Sequence, residues 1–321
     1  MKTIFVSWAP KDAGEYLDAA KWQTEPIPAS AGLMQWMFCI PMQVDGKNGV
    51  DLVAGGAADM IAGVVGTTAQ IGWFESPANP RALADFKWHS LSPAAWVMSL
   101  ILSDMDGDDD LDVVTSDRTG AVRGCRWLEN PGPGRAQYQQ WISHFIGAVN
   151  VTVGFMKIGD LDKDGLEDVV VAAKPRSILY LKRLDTTGLS WQEYEILLPE
   201  GAGAAKAVAV GDIDNDGKQD IVFSCEGANE GKSGVMWISY KDNVLDGEWI
   251  CHDISGPLGS KFDRLELLDL DGDSDLDVLT TEEREHRSGL GVIWYENPHE
   301  EPALTSREIG SEDRAQNAGR H

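Results

Sequence analysis

The sequence is short of positive charge. Its 321 residues carry 27 Lys and Arg against 52 Asp and Glu, for a net charge of −25. Phosphate backbones are held by clustered Lys and Arg, so this composition excludes a nucleic-acid partner. It also disfavours docking on an anionic membrane surface. Cysteine is scarce: Cys39, Cys125, Cys225 and Cys251 show no CxxC spacing. They read as reduced, small apolar side chains rather than a metal or disulfide set. No apolar run reaches the roughly 18 residues that a membrane-spanning helix needs. Residues 1–14 lack the apolar h-region of a signal peptide. The expectation is a cytosolic chain, or one that begins at an internal methionine. The patterns GxSxG, HExxH and GxGxxG do not occur in a supporting context, so the chemistries they serve have no sequence support.

What is abundant is tryptophan (12), glycine (34) and regularly placed aspartate. Four segments follow the pattern D-x-D-x-D-G-x-x-D or a near variant. The first contains Asp104, Asp106, Asp108 and Asp112; the second Asp160, Asp162, Asp164 and Asp168. The third contains Asp212, Asp214, Asp216 and Asp220; the fourth Asp269, Asp271, Asp273 and Asp277. A degraded fifth copy runs from Gln43 through Asp45 and Lys47 to Asp51. The closing aspartates lie 52 to 61 residues apart, which makes this an internal structural repeat.

Each acidic loop lies between two short β-branched runs, such as residues 207–210 and 221–223, which read as strands. A second strand pair follows. Its inner member carries Trp73, Trp127, Trp237 or Trp294, with Tyr180 in the third repeat; its outer member carries Trp88, Trp141, Trp191 or Trp249. Four short antiparallel strands A to D, with the acidic loop between A and B, make a propeller blade. The chain is therefore expected to be all-β: a β-propeller of four-stranded antiparallel blades, with five full repeats over 29–310. An N-terminal half-blade of strands C and D occupies 1–28, and a polar, disordered tail occupies 311–321. The missing A–B pair leaves two closures: a five-bladed ring with an appended half-blade, which is favoured, or part of a larger ring. The open edge of the half-blade makes a homodimer through it a further expectation.

Calcium takes six to eight oxygen ligands at about 2.3–2.6 Å. Aspartates at positions 1, 3 and 5 of a tight turn can face one centre, and a Gly at position 6 permits the turn. Without a cation these carboxylates repel one another. The loops are not EF-hands, because position 12 is Thr115, Val171, Phe223 or Thr280 instead of Glu and the flanks are strands. The pattern resembles the FG-GAP or VCBS repeat family, calcium-bearing β-propellers that include integrin α-subunit heads, lectins and polysaccharide lyases. The resemblance spans about residues 30 to 300. It implies about four structural calcium ions, held by the sixteen aspartates of the four intact loops, and a stapling role for them. The first loop departs from the family, since Gln43 and Lys47 replace Asp and an ammonium can substitute for the ion there. Asp109 and Ser274 stand where the family has Gly, with Gly107 and Gly272 two positions earlier; these loops are still expected to bind.

In a propeller, strand A lines the axis, and ligands commonly enter at the face of the D–A and B–C loops. Strand B delivers Asp117, Arg118, Lys174, Glu226, Glu282 and Glu283 to that face, and Lys206, Asp263 and Arg264 lie beside the A strands. Trp36 and Trp96 enter strand A outside the repeated positions. They read either as a plug in the channel or as an aromatic platform for a sugar. His286, in the dense cluster 282–286, reads either as a general base or ligand or as a solvated loop residue.

Two chemistries fit this set. One is carbohydrate-directed, a binding module or a lyase. A lyase would take the proton beside a uronate carboxylate, with His286 or Lys174 as base and Arg118 or Arg264 neutralising the acid. The other is a metal-dependent hydrolase of small esters, lactones or phosphotriesters, by architectural analogy with paraoxonase-like and gluconolactonase-like propellers. There Glu226, Glu282, Glu283, Asp117 and Asp263 would hold an additional axial metal. A protein-interaction platform is the third reading, and it would need a large apolar patch on the loop face.

Overall fold

The computed structural model describes residues 2–58, 60–61, 64–65, 68–283 and 289–298. Five antiparallel sheets stand around one axis as a β-propeller. The first blade has strands A to D at Gln35–Met42, Asp51–Ala57, Ala69–Glu75 and Lys87–Ala94. The second has them at Val97–Ser103, Asp112–Asp117, Gly124–Glu129 and Ile142–Gly147. The third uses Val153–Gly159, Asp168–Ala173, Ser177–Arg183 and Trp191–Leu197. The fourth uses Ala204–Gly211, Asp220–Glu226, Val235–Tyr240 and Trp249–Asp253. Strands A to C of the fifth are Phe262–Leu268, Asp277–Glu282 and Gly291–Tyr295. The D strand expected at residues 305–309, like the tail 311–321, lies outside the described residues. Helix is confined, among the described residues, to single 3₁₀ turns, and no helix is long and apolar enough to cross a membrane.

Within each blade the strands pair in chain order. The A strands surround an axial channel of about 750 Å³, lined by Phe38, Ile40, Phe155, Val208 and Leu265 from different blades. Strand C helps join the first blade to the second and the second to the third. Its aromatic residue always pairs with the position two beyond the closing aspartate: Val53 with Trp73, Val114 with Trp127, Val170 with Tyr180, Val222 with Trp237 and Leu279 with Trp294. Trp73 and Trp127 are 0% and 1% exposed. Their Nε1 atoms donate to the carbonyls of Gln137 and Gly188 in the following blade, at 3.3 and 3.1 Å. A strand-D histidine lies against the indole in three blades, with Trp73–His89, Trp127–His144 and Trp237–His252 centroids at 4.8, 4.5 and 3.9 Å. The third blade substitutes Tyr180 and Tyr194, at 5.7 Å.

The half-blade pairs Phe5–Trp8 with Gln23–Pro26. Its Ile4, Val6 and Trp8 pack with Ile27, Trp36, Phe74, Phe86 and Trp88 against the first blade. The opposite end of the series has no such cover among the described residues, since Trp294 is 44% and Val292 74% exposed. The described residues thus form five blades with an appended half-blade.

Candidate functional site

The acidic A–B loops share one backbone design. Positions 4 and 6 are both left-handed, and glycine fills one of them in each loop: Gly107 with Asp109 (φ 81° and 72°), Lys163 with Gly165 (60° and 89°), Asn215 with Gly217 (57° and 85°), and Gly272 with Ser274 (86° and 79°). A non-glycine residue in this region costs about 1–2 kcal/mol. The glycine has changed places in the loops at 104 and 269, which is why Asp109 and Ser274 are tolerated there.

Four sets of carboxylate oxygens converge to within 4.8 Å: Asp104, Asp106 and Asp108; Asp160, Asp162 and Asp168; Asp212, Asp214 and Asp220; Asp269, Asp271 and Asp273. Asp106, Asp110, Asp212 and Asp275 each bury one carboxylate oxygen that has no hydrogen-bond partner. An unpartnered buried acceptor is strongly unfavourable. A hard cation would supply the missing partner, so these donors fit calcium. Burial, followed by the charges of Asp108, Asp106 and Asp104, pushes Asp110 up to about 6.

The closing aspartates have a different primary task. Their Oδ2 atoms accept the N–H of Val44, Met105, Leu161, Ile213 and Leu270 at 2.8–3.1 Å. In four blades Oδ1 accepts an N–H beyond or at the end of strand C, from Ser76, Asn130, Arg183 or Asn297, at 2.7–2.9 Å. In those four blades the closing aspartate therefore ties the acidic loop to strand C. Asp51 makes both bonds in the degraded first loop, so the staple does not require the full acidic pattern. In that loop the Lys47 ammonium lies 3.1 Å from Asp45, the substitution that the sequence suggested.

At the other face, residues from four blades meet at the mouth of the axis. Glu226, at the end of its strand B, pairs with Lys174, with Arg118 at 3.6 Å and with Lys206 at 3.3 Å. Lys206 also reaches Asp263 at 3.1 Å, and Lys261 pairs with Glu283. Gly154 permits this closeness, because a Cβ there would stand 2.1 Å from the Lys206 carbonyl oxygen. Beneath the mouth, buried Asp117 accepts the N–H groups of Ala95 and Trp96 at 2.9 and 2.7 Å, fixing the turn that carries Trp96. Trp96 is 40% exposed, and the Arg118 guanidinium lies 5.3 Å from its ring centroid. Burial, reinforced by Arg118, Lys206 and Lys261, holds the Lys174 ammonium down at about 8. Burial likewise lowers Arg118, against the opposing pull of Asp263.

Residues 160–223 match the FG-GAP-like repeat family. That segment runs from the acidic loop of the third blade to strand B of the fourth, so it contains two of the convergent aspartate sets. No curated protein sequence matches the chain significantly. Among solved structures, a mutant of the NanB sialidase from Streptococcus pneumoniae is similar at 14% identity and a TM-score of 0.43, over 88% of this chain and 39% of the sialidase. The exotype rhamnogalacturonan lyase YesX is similar at 15% identity and a TM-score of 0.42, over 81% of this chain and 47% of the lyase. The chain spans less than half the length of these two structures.

Of the residues singled out in the sequence, the propeller brings Arg118, Lys174, Lys206, Glu226 and Asp263 into one network, with Trp96 at its edge and Glu283 in a neighbouring ion pair. Trp36 is not part of it. Its Nε1 donates to the Ser30 carbonyl at 3.0 Å, and its ring packs on Trp88 and Phe74 beneath the half-blade. Arg264 is also apart: it pairs with Glu266 at 2.7 Å and lines the axial channel. His286 lies outside the described residues. The donors considered for an axial metal are otherwise engaged. Asp117 caps a turn, Glu282 accepts the N–H groups of Ser260 and Leu290, and Glu226 is bound by cations. Lys261 and Lys182 escaped the sequence reading. Lys261 immediately precedes strand A of its blade, and Lys182 stands two places past the strand-C aromatic, where the W-x-E motif has Glu.

Proposed function

We propose that this protein is a calcium-stabilised β-propeller that binds an acidic carbohydrate at the mouth formed by its D–A and B–C loops. The observation that carries the reading is the single carboxylate of Glu226 held by three cations, Arg118, Lys174 and Lys206, from three blades. Glu226 and Asp263, which also pairs with Lys206, offset two of the three charges and leave capacity for one further carboxylate. A uronate carboxylate supplies it through charge-assisted hydrogen bonds. Trp96, exposed beside Arg118, offers a flat apolar surface to the sugar ring. Calcium in the convergent A–B loops would cross-link the inner strands of the blades at the opposite face, remote from the ligand.

A lyase reading of the same site is favoured by one further observation, the ammonium of Lys174 held at about 8. An amine with that pKa is partly free near neutral pH and can take the proton beside a uronate carboxylate, with Arg118 holding the acid.

The test is calorimetric titration of the intact chain in calcium buffer with an oligouronate and with a neutral oligosaccharide of equal length. The expected result is binding of the oligouronate alone, weakened at least tenfold by Lys174→Met and by Trp96→Ala. If the wild-type protein binds neither sugar, or both equally, the reading fails.

A further inference from the structure

We infer that the acidic loop of the third blade, residues 160–168, carries its own cation in the form of the Lys182 ammonium, and that the metal sites are the three loops beginning at Asp104, Asp212 and Asp269. This rests on the calcium reading above and narrows its stoichiometry.

The four convergent aspartate sets look equivalent in sequence, but their surroundings differ. Lys182, on strand C, ion-pairs with both Asp162 and Asp164, and its side chain and that of Asp162 are only 14% and 13% exposed. The closing Asp168 is also more fully engaged here. Its Oδ2 accepts the Tyr180 hydroxyl at 2.9 Å in addition to the Leu161 N–H. The buried, partnerless carboxylate oxygens fall in the other three loops, on Asp106 and Asp110, on Asp212, and on Asp275; residues 160–168 contribute none. Three loops thus hold acceptors that lack a partner, and one is satisfied from within.

The repeat shows how this arose. Strand C places its aromatic residue next to the loop, and the residue two positions later turns the same way. In the first, second and fifth blades that residue is Glu75, Glu129 and Glu296, and in the fourth it is Ser239. The third blade alone has a cation there. It also alone has Tyr in place of Trp, which delivers the hydroxyl to Asp168. Lys218 in the fourth blade does not do the same job. It bonds Asp216 at 2.6 Å, which is outside the convergent trio Asp212, Asp214 and Asp220, and the Asp212 oxygen stays without a partner. A dication entering the third loop would meet an ammonium already held by two charge-assisted hydrogen bonds. Lys47 plays the corresponding part in the first blade, from within the loop itself.

The experiment counts tightly bound calcium per chain by elemental analysis, after gel filtration in metal-free buffer, on the full chain. Three ions are expected. Asp160→Asn should leave three and Asp212→Asn should leave two, while Lys182→Glu, which installs the residue of the first, second and fifth blades, should raise the count to four. Four ions on the wild-type chain overturn the inference and leave the calcium reading standing. So does a loss of one ion in Asp160→Asn, since the third loop would then be occupied. If Lys182→Glu folds and still holds three, Lys182 is not what excludes the ion, and the assignment fails. A wild-type chain with no calcium overturns the calcium reading itself, and this inference with it. The comparison of the two aspartate variants decides the matter even if Lys182→Glu does not fold.

Discussion

Lys174 is paired with the Glu226 carboxylate and otherwise packed among cations. Burial, then Arg118, Lys206 and Lys261, hold its ammonium at about 8 against an ordinary lysine near 10.5. Two functions of this one atom have opposite pH dependence. Below pH 8 the ammonium is charged and attracts a carboxylate; above it, the free amine can accept a proton. Affinity for an oligouronate is therefore expected to fall as pH rises from 7 to 9, by up to tenfold per unit beyond the midpoint, and Lys174→Met should flatten that slope in a titration series. If the site performs elimination, the rate should instead rise through pH 8 and level off, as followed by ultraviolet absorbance of the unsaturated product. The network around Lys174 was legible because each member sits at a fixed offset from a closing aspartate or at the start of strand A. Trp36 was misplaced for a physical reason. Its partners Trp88 and Phe74 and the covering half-blade are remote in sequence, and no local pattern signals that burial.

At the scale of the element, the acidic loop divides its labour between two kinds of aspartate. Asp106 converges with Asp104 and Asp108 and keeps one buried oxygen without a partner, whereas Asp112 spends both oxygens on the N–H groups of Met105 and Asn130, at 2.8 and 2.7 Å. Converting Asp112 to Asn places an amide donor against these N–H groups. The expected loss is about 2–3 kcal/mol of stability, typical of hydrogen bonds to a charged group, and chelator should not abolish it. Asp106→Asn should cost stability in calcium buffer and almost nothing in chelator. Urea denaturation of the two variants under both conditions checks the contrast. The sequence pattern groups the ninth-position aspartate with the first, third and fifth because all recur together. Only the strand pairing separates them, by bringing the end of strand C alongside the loop.

For the whole molecule, blade-to-blade packing sets the energetic hierarchy. Trp73 is fully buried between its blade and the next, while Trp294, in the same register, is 44% exposed. Trp73→Ala is expected to cost about 3–5 kcal/mol. Trp294→Ala should cost about 1 kcal/mol, since much of its surface already meets water. Thermal unfolding of both variants reads the difference. The blade order and strand pairing were legible in the sequence because they follow from a local repeat with period-two strands. Which blade faces stay covered was not, because coverage depends on where the series of blades ends in space.

The cation-lined mouth sits within a chain of net charge −25, and this shapes how an anion would arrive as well as how it is held. Far from the surface an acidic ligand meets the repulsion of the whole molecule. Only within about 10 Å at 0.1 M salt, one Debye length, does the local attraction of Arg118, Lys174 and Lys206 dominate. Added salt screens the outer barrier first and the inner grip second. For an acidic ligand, capture would be slowest in dilute buffer and would quicken as ions are added, while the same ions would shorten the lifetime of the complex, so exchange would be most rapid in a saline medium.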